Sequence, residues 1–298
     1  MSAGEPLIRN VSDTALWAAV YRAAESERPD ALFRDPFARN LAGERGKQIA
    51  DAVPAGARAD WAWVMRTWLV DEILVEQLRE GVDMVVNLAA GLDTRPYRMQ
   101  LPRALQWIEV DLPGILDYKE EVLAGEQPAC ALERVRLDLA DVAGRRQLCD
   151  RLGRRASKAL IITEGLLIYL TAEEVGELAR DLAAPPGFQR WVLDIASPGL
   201  LRLLQKNLNP QLARAGSPLK FGPPEGPELF VPYGWKPISV RSPLKAAARF
   251  KRLPFFLRLM ALLPESRGAQ GSRPWSGVCL LAKSAAAQGA PAAPRTRS

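Results

Sequence analysis

Small and acidic residues recur where short apolar runs of this chain end. In MVVNLAAGLDTRPY, residues 84–97, strand-forming residues give way to Ala89, Ala90 and Gly91. Such residues let a ligand approach the backbone closely, although the stretch lacks a GxGxxG pattern and would equally serve as an ordinary tight turn. Asp111 closes the next apolar run, WIEVDLP, 20 residues after Gly91. That is the spacing at which an acidic side chain accepts hydrogen bonds from a ribose diol in nucleotide-binding sheets. Asp138 follows in VRLDLAD and Glu164 in LIITEG. Each alone could cap the helix after it. As a set, three carboxylates along one edge point to a ligand, because a buried carboxylate without a partner is strongly unfavourable.

The ligand implied is a nucleoside with a cationic appendage. A dinucleotide would bring a pyrophosphate, which needs amide nests and sits badly among carboxylates. S-adenosylmethionine, with its ribose, ammonium and sulfonium, suits the acids better. The chain contains no histidine, which removes Ser-His-Asp and Cys-His triads, HExxH zinc sites and an imidazole base from consideration. No metal site is expected.

The elements that must position these residues can be read from periodicity. Residues 13–78 are helical in pattern, with Ser12 or Asp13 able to cap the first helix and Trp17, Val20 and Tyr21 on one face. Val64, Trp68 and Leu74 or Val75 form a second stripe. After Gly81 the pattern changes to short apolar runs at 84–89, 106–110, 134–137, 160–163, 190–195, 236–241 and 277–282, separated by helical stretches. This alternation predicts an α/β fold with a doubly wound, mostly parallel seven-stranded sheet. Its parts are a helical extension over 1–80, a cofactor-binding domain over 81–283 and a substrate or lid insertion over 197–276. The tail, 284–298, reads as disordered.

Cys130, Cys149 and Cys279 are odd in number and widely spaced, so reduced, packed thiols are expected. The opening MSAGEPLIRN has no basic start or apolar stretch of the secretory kind, and no apolar run approaches the roughly 18 residues of a membrane span. A cytoplasmic protein is the expectation. Of the net charge of +6, residues 241–298 carry +10, with 11 basic residues and one acidic, Glu265. Such a block could serve an anionic small molecule or a membrane surface, or could simply be solvated. No helix-turn-helix, RNA-recognition or zinc-finger pattern suggests nucleic acid.

The stretches NLAAGLDTRPYRM, EVDLP, LDLAD and ITEGLLIYL, with the opening TALWAAVYRAAES, resemble the leucine carboxyl methyltransferase-like family of class I S-adenosylmethionine-dependent methyltransferases. This family has a bacterial branch of methyltransferases and polyketide carboxyl methylases. The resemblance runs over residues 10–283 and weakens across 197–276. It implies that Asp111 binds the ribose, Asp138 and the Leu139 backbone contact adenine, and Ala89, Ala90 and Gly91 line the methionine portion. It also implies that Arg66 pairs with the methionine carboxylate, although from the residues alone Arg66 reads as an exposed helix arginine. Glu164 would face the methionine amine or the methyl group, and Tyr169 the acceptor; these two are the catalytic candidates. Arg95 is expected to brace the loop through carboxylates or carbonyls. Ala89 stands where many relatives have glycine. The N-terminal lysine of the eukaryotic leucine carboxyl enzymes has no counterpart, which argues against a protein phosphatase acceptor.

The activity expected is O-methylation of a small anionic metabolite at a carboxylate or hydroxyl. A carboxylate is already ionised at pH 7, whereas a hydroxyl needs a base that a histidine-free chain supplies less readily. A nicotinamide-dependent oxidoreductase and a non-catalytic module docking on a membrane or partner remain as alternatives. The first lacks GxGxxG and a YxxxK dyad. The second would use residues 243–264, PLKAAARFKRLPFFLRLMALLP, where cations alternate with apolar residues around a break near Pro254. That segment reads as a core-packed helix pair, a lid whose Arg249 and Arg252 draw in an anion, or a surface anchor.

Overall fold

The computed structural model describes residues 12–52, 59–214, 216–262, 271 and 273–284. Seven strands, β1 (Met84–Leu88), β2 (Gln106–Asp111), β3 (Ala131–Arg136), β4 (Ala159–Thr163), β5 (Phe188–Ala196), β6 (Trp235–Arg241) and β7 (Ser276–Lys283), form one sheet in the order β3-β2-β1-β4-β5-β7-β6. The first five pair in parallel, while β7 runs antiparallel to β5 and β6. This is the doubly wound sheet expected from the sequence. Every residue of β1 and β4 is buried, as befits central parallel strands covered on both faces.

The helices are α1 (Asp13–Ser26), α2 (Ala38–Ala52), α3 (Asp60–Arg79), α4 (Arg95–Arg98), α5 (Pro113–Val122), α6 (Val142–Arg155), α7 (Ala172–Ala183), α8 (Pro198–Arg214), α9 (Pro243–Arg249) and α10 (Phe255–Ala261). Successive strand residues point to opposite faces, so neighbours separate into different cores. Val85, Leu160 and Ile162 pack with Leu69, Val70, Ile73 and Leu74 of α3. Val86, Ile108 and Ile161 pack with Leu148 and Leu152 of α6 and with Val175, Leu178 and Leu182 of α7. Trp17 and Tyr21 of α1, with Val64 and Met65 of α3, build a third core against Leu219, Ala247 and Leu253. Of the expected stripes, Trp17, Tyr21, Val64 and Leu74 are buried, whereas Val20, Trp68 and Val75 are half-buried. The reason is that α3 is gripped on two flanks, by the sheet and by α1 and α9.

Strand limits differ from expectation most at β3, which starts three residues early, at Ala131. As an edge strand with alternating Glu133, Arg134 and Arg136, it carries little apolar signal to read. Ser12 takes the N-cap position of α1 but makes no side-chain cap bond, and Asp13 instead holds Arg45 at 2.6 Å. None of Asp111, Asp138 and Glu164 caps a helix. The α5 and α6 N-caps are Leu112 and Asp141, and the next helix after Glu164, α7, starts with a capping box of Thr171 and Glu174.

The break expected near Pro254 is present between α9 and α10. Leu244, Phe250, Leu253 and Leu257 lie in or against the third core, so these apolar side chains are not free for a surface. Leu259 and Leu262 remain exposed. Arg252, expected as a free cation, is nearly buried and bonds Glu25 at 2.8 Å and Asp30 at 2.7 Å. Arg241 likewise bonds Glu76, and Lys283 donates to the Pro185 carbonyl. The C-terminal basicity is thus partly spent on acids of the N-terminal helices. Residues 263 and 264 of the segment lie outside the described residues, as does the expected tail apart from Ser284. Among the described residues no helix is long and apolar enough to cross a membrane, and all three cysteines are buried and unpaired.

Ala89 adopts φ 55°, a left-handed conformation that is unfavourable by about 1–2 kcal/mol for a residue with a Cβ. Ala89→Gly should therefore hold or raise stability, with a gain of up to about 1 kcal/mol and a thermal midpoint up by as much as about 3 °C. A midpoint lowered by calorimetry would show that the alanine methyl contributes packing that outweighs the strain.

Candidate functional site

A cavity of about 650 Å³ opens beyond the carboxyl ends of β1, β2, β4 and β5, where the chain winds outward from β1 in both directions. That crevice is the ligand site of open α/β sheets. All nine residues expected at the site line it: Arg66, Ala89, Ala90, Gly91, Asp111, Asp138, Leu139, Glu164 and Tyr169. They arrive from α3, from the turns after four strands, and from the 3-10 turn Leu167–Tyr169.

At one end Gly91, with φ 50°, turns the chain so that its N–H donates to Asp111 Oδ2 at 2.6 Å. Asp111 Oδ1 accepts from the Leu112 N–H at 2.7 Å. Burial raises the Asp111 pKa, against the two backbone donors and the field of Lys119. A carboxylate offers about four acceptor positions, and here two are filled by backbone. Among the described residues no cationic side chain hydrogen-bonds it. It therefore retains the capacity that a ribose diol would use. Asp138 is exposed, with Oδ1 accepting from the Ala140 N–H at 2.9 Å. The Leu139 carbonyl accepts from Arg145 Nη1 at 2.6 Å, and Arg145 is held in turn by Asp181.

At the centre lies an ionic network. Glu164 bonds Arg66 at 3.0 Å through Oε1 and Arg95 at 2.9 Å through Oε2. Arg66 reaches Asp194 at 3.3 Å, and Asp194 accepts the Gly165 N–H at 2.6 Å. Gly165 has φ 70°, and a Cβ there would sit 3.2 Å from the Arg66 guanidinium nitrogens. Arg95 also bonds Asp71 at 2.6 Å, Asp93 at 2.8 Å and the Thr67 carbonyl, bracing the loop as expected. Burial by itself would raise the Glu164 pKa, yet Arg95 and Arg66 hold it below the ordinary value. Burial would lower the Arg66 pKa, but Asp194 and Glu164 raise it. Arg66 is thus a half-buried, paired arginine rather than an exposed one.

Beyond this network the wall becomes aromatic. The Arg66 guanidinium lies 4.8 Å from the Trp63 ring centre, and Trp63 packs 5.3 Å from Trp17. Burial raises the Tyr169 pKa, partly offset by a hydrogen bond with Thr14. Asp194, Arg145, Trp17 and Trp63 are site residues that the sequence reading did not select. Asp194 carried the same signal as the others, an acid near the end of an apolar run. The tryptophans carried none, since each sits in a helical stripe that looks like core.

An open, doubly wound sheet with a cavity rimmed by acids at successive strand ends defines a nucleoside-cofactor enzyme of the class I methyltransferase fold. This chain belongs to the leucine carboxyl methyltransferase family, whose model matches residues 15–183. It is an S-adenosylmethionine-dependent methyltransferase, and that membership sets aside the oxidoreductase and non-catalytic alternatives. A relative from Frankia alni, named "Putative S-adenosyl-L-methionine-dependent methyltransferase", is 34% identical over 258 residues, 80% of this chain and 88% of the relative. A relative of the same description from Parafrankia is 37% identical over 188 residues, 59% of this chain and 60% of that protein. In fold, the chain is similar to a duf574 family protein from Streptomyces avermitilis, with a TM-score of 0.59, 15% identity and coverage of 89% and 96%.

Asp93 supplies a test of the network. Burial would raise its pKa, but Arg95, Lys119 and Arg98 bring it from 3.8 to about 2. In the native state it stays ionised where the unfolded carboxyl already binds a proton. Its contribution is therefore complete above about pH 4 and lost as pH falls through about 2. Urea unfolding should show the stability difference between wild type and Asp93→Asn shrinking by about 2 kcal/mol from pH 4.5 to pH 2. A difference independent of pH would mean that Asp93 owes its role to shape.

Proposed function

We propose that the enzyme methylates oxygen, and that the oxygen belongs to a carboxylate of a small molecule. The observation that carries this reading is the state of the ionisable groups at the centre of the cavity. Glu164 is clamped by two guanidiniums with its pKa lowered, which makes it a weak base. Tyr169 has its phenol pKa raised, so it holds its proton at neutral pH. A hydroxyl acceptor would need one of these to take a proton during transfer, whereas a carboxylate arrives ionised.

When bound, S-adenosylmethionine supplies an electrophilic methyl group on sulfur. The chain's own residues bind, orient and exclude water. Asp111 would accept the ribose hydroxyls, Asp138 and the Leu139 N–H would meet the adenine, and the Ala89–Gly91 turn would let the methionine portion lie on the backbone. Arg66 would pair with the methionine carboxylate. Glu164, kept ionised by Arg95 and Arg66, places a fixed negative charge where ammonium and sulfonium are attracted. Tyr169 stands on the acceptor side as a proton-bearing donor. The family match ends at residue 183, and part of the cavity wall, Leu200, Leu204, Leu219, Phe221 and Pro243, lies beyond it. The buried, unpaired cysteines suit a reducing cytoplasm.

Incubation with S-adenosylmethionine and a panel of carboxylic acids and phenols should yield base-labile methyl esters by mass spectrometry. Methyl ethers alone would sink the carboxylate reading. Asp111→Ala should weaken S-adenosylhomocysteine binding more than tenfold in calorimetric titration, since it removes charge-assisted bonds and frees the Gly91 turn. Asp138→Asn should weaken it only a few-fold, because the amide still accepts and the site is exposed. Equal losses in two folded variants would show that these roles are misassigned.

A further inference from the structure

The turn after β3 is exposed at Asp138 and Ala140 and half-buried at Leu139, so its own side chains pack little of it in place. A buried ion pair on the neighbouring helices reaches it instead. Arg145, in the first turn of α6, donates through Nε and Nη2 to Asp181 Oδ2 of α7, at 2.9 and 2.6 Å. Its remaining nitrogen, Nη1, donates to the Leu139 carbonyl at 2.6 Å. Arg146 donates to the other Asp181 oxygen, Oδ1, at 2.8 Å. Arg145 and Asp181 are both buried, and Arg145 lines the cavity together with Asp138, Leu139 and Ala140.

A buried ion pair contributes little net stability over apolar residues of the same volume, so tying α6 to α7 does not by itself account for this one. The bond to the turn sets it apart. The Leu139 carbonyl and the Ala140 N–H belong to one planar peptide group. Arg145 holds the oxygen of that group, while its N–H donates to Asp138 Oδ1 at 2.9 Å. The guanidinium thus fixes the plane of a peptide whose other end fixes the Asp138 carboxylate, and Oδ2 is the oxygen left for a ligand. The Asp138 carbonyl also accepts the Asp141 N–H at 2.9 Å, and the Asp141 side chain caps α6 through the Gly144 N–H.

We infer that the Arg145–Asp181 pair is a positioning device for base recognition, holding the 138–140 turn so that Asp138 and the Leu139 N–H together read the amine and the adjacent ring nitrogen of adenine. This rests on the adenine roles given to those two groups above and adds the residues that make them selective. An arginine suits the task because its planar fork directs three nitrogens at once, which a lysine ammonium on a flexible stem does not reproduce. Arg145 acts through the turn and touches no reacting atom.

Calorimetric titration with S-adenosylhomocysteine and S-inosylhomocysteine tests this. Hypoxanthine has an oxygen in place of the amine and a proton on the adjacent ring nitrogen, so it reverses both edge groups and leaves the sugar and amino acid unchanged. Wild type should prefer the adenosyl ligand about thirtyfold, since groups placed for one hydrogen-bonding pattern are left unpaired by its reverse. Arg145→Met frees the Leu139 carbonyl while Asp181 keeps Arg146, and the preference should fall to about fivefold, through weaker binding of the adenosyl ligand. Asp181→Asn preserves the shape of the pair but loosens Arg145, so the preference should fall to about tenfold. A pair that only joins α6 to α7 would weaken both ligands alike, and a preference kept at the wild-type value would overturn the positioning role. Asp181→Asn decides the matter alone should Arg145→Met not fold. A wild type that shows no preference would mean that the turn does not read the base, and the adenine roles would fall together with the positioning role.

Discussion

Arg95 is the interaction on which the site depends. Its buried guanidinium joins Asp71 of α3, Asp93 of the turn after β1 and Glu164 after β4. Burying one cation is unfavourable, and it is tolerated because each of its three nitrogens donates to an oxygen. Withdrawing the arginine would leave three carboxylates facing one another in a low-dielectric pocket, which is why such pairs are much harder to break than to replace. Arg98 on Asp71, and Arg66 on Glu164 and Asp194, extend the same network. Across it, four carboxylates face three guanidiniums, leaving an excess of one negative charge. S-adenosylmethionine, with one carboxylate, one ammonium and one sulfonium, carries one net positive charge. The frame that braces the loops thus carries a net charge opposite in sign to that of the cofactor.

The helical extension belongs to the site for the same reason. Arg66 and Asp71 lie on one α-helix, α3, whose other residues cover a face of the sheet. A helix held on the sheet by Leu69, Val70, Ile73 and Leu74 presents its charged residues at a fixed height above the strand ends. Asp35, from the segment between α1 and α2, adds a second brace, accepting from Arg22 and from Thr94 next to Arg95. Both contacts favour its charged form over the penalty of burial, and its pKa is lowered.

Much of the fold was legible in sequence because strand runs broken by helical stretches can be read from period alone. The acidic strand ends were legible because they combine a residue type with a position. What stayed hidden depends on pairings at long range: Arg66 with Glu164 spans 98 residues, Arg66 with Asp194 spans 128, and Arg252 with Glu25 spans 227. A charge read locally has only solvent as its default partner. The basic C-terminal quarter therefore looked like a surface awaiting an anion, although Arg241 and Arg252 meet acids of the first three helices. Trp17 was hidden for the opposite reason, since its apolar periodicity is that of core, and it packs in one while also lining the cavity.

The two sides of the cavity divide the physical work of a histidine-free enzyme. Where Arg66 and Arg95 meet Glu164, Asp93 and Asp194, charges fixed in advance need no reorganisation when a charged ligand arrives. Along Leu200, Leu204, Leu219, Phe221 and Pro243 the wall is apolar, and such a wall sheds water only against a ligand that brings apolar surface of its own. Because Arg22, Arg66, Arg95 and Arg145 are each held by carboxylates, the charge of the cavity is set by its own network before any ligand enters.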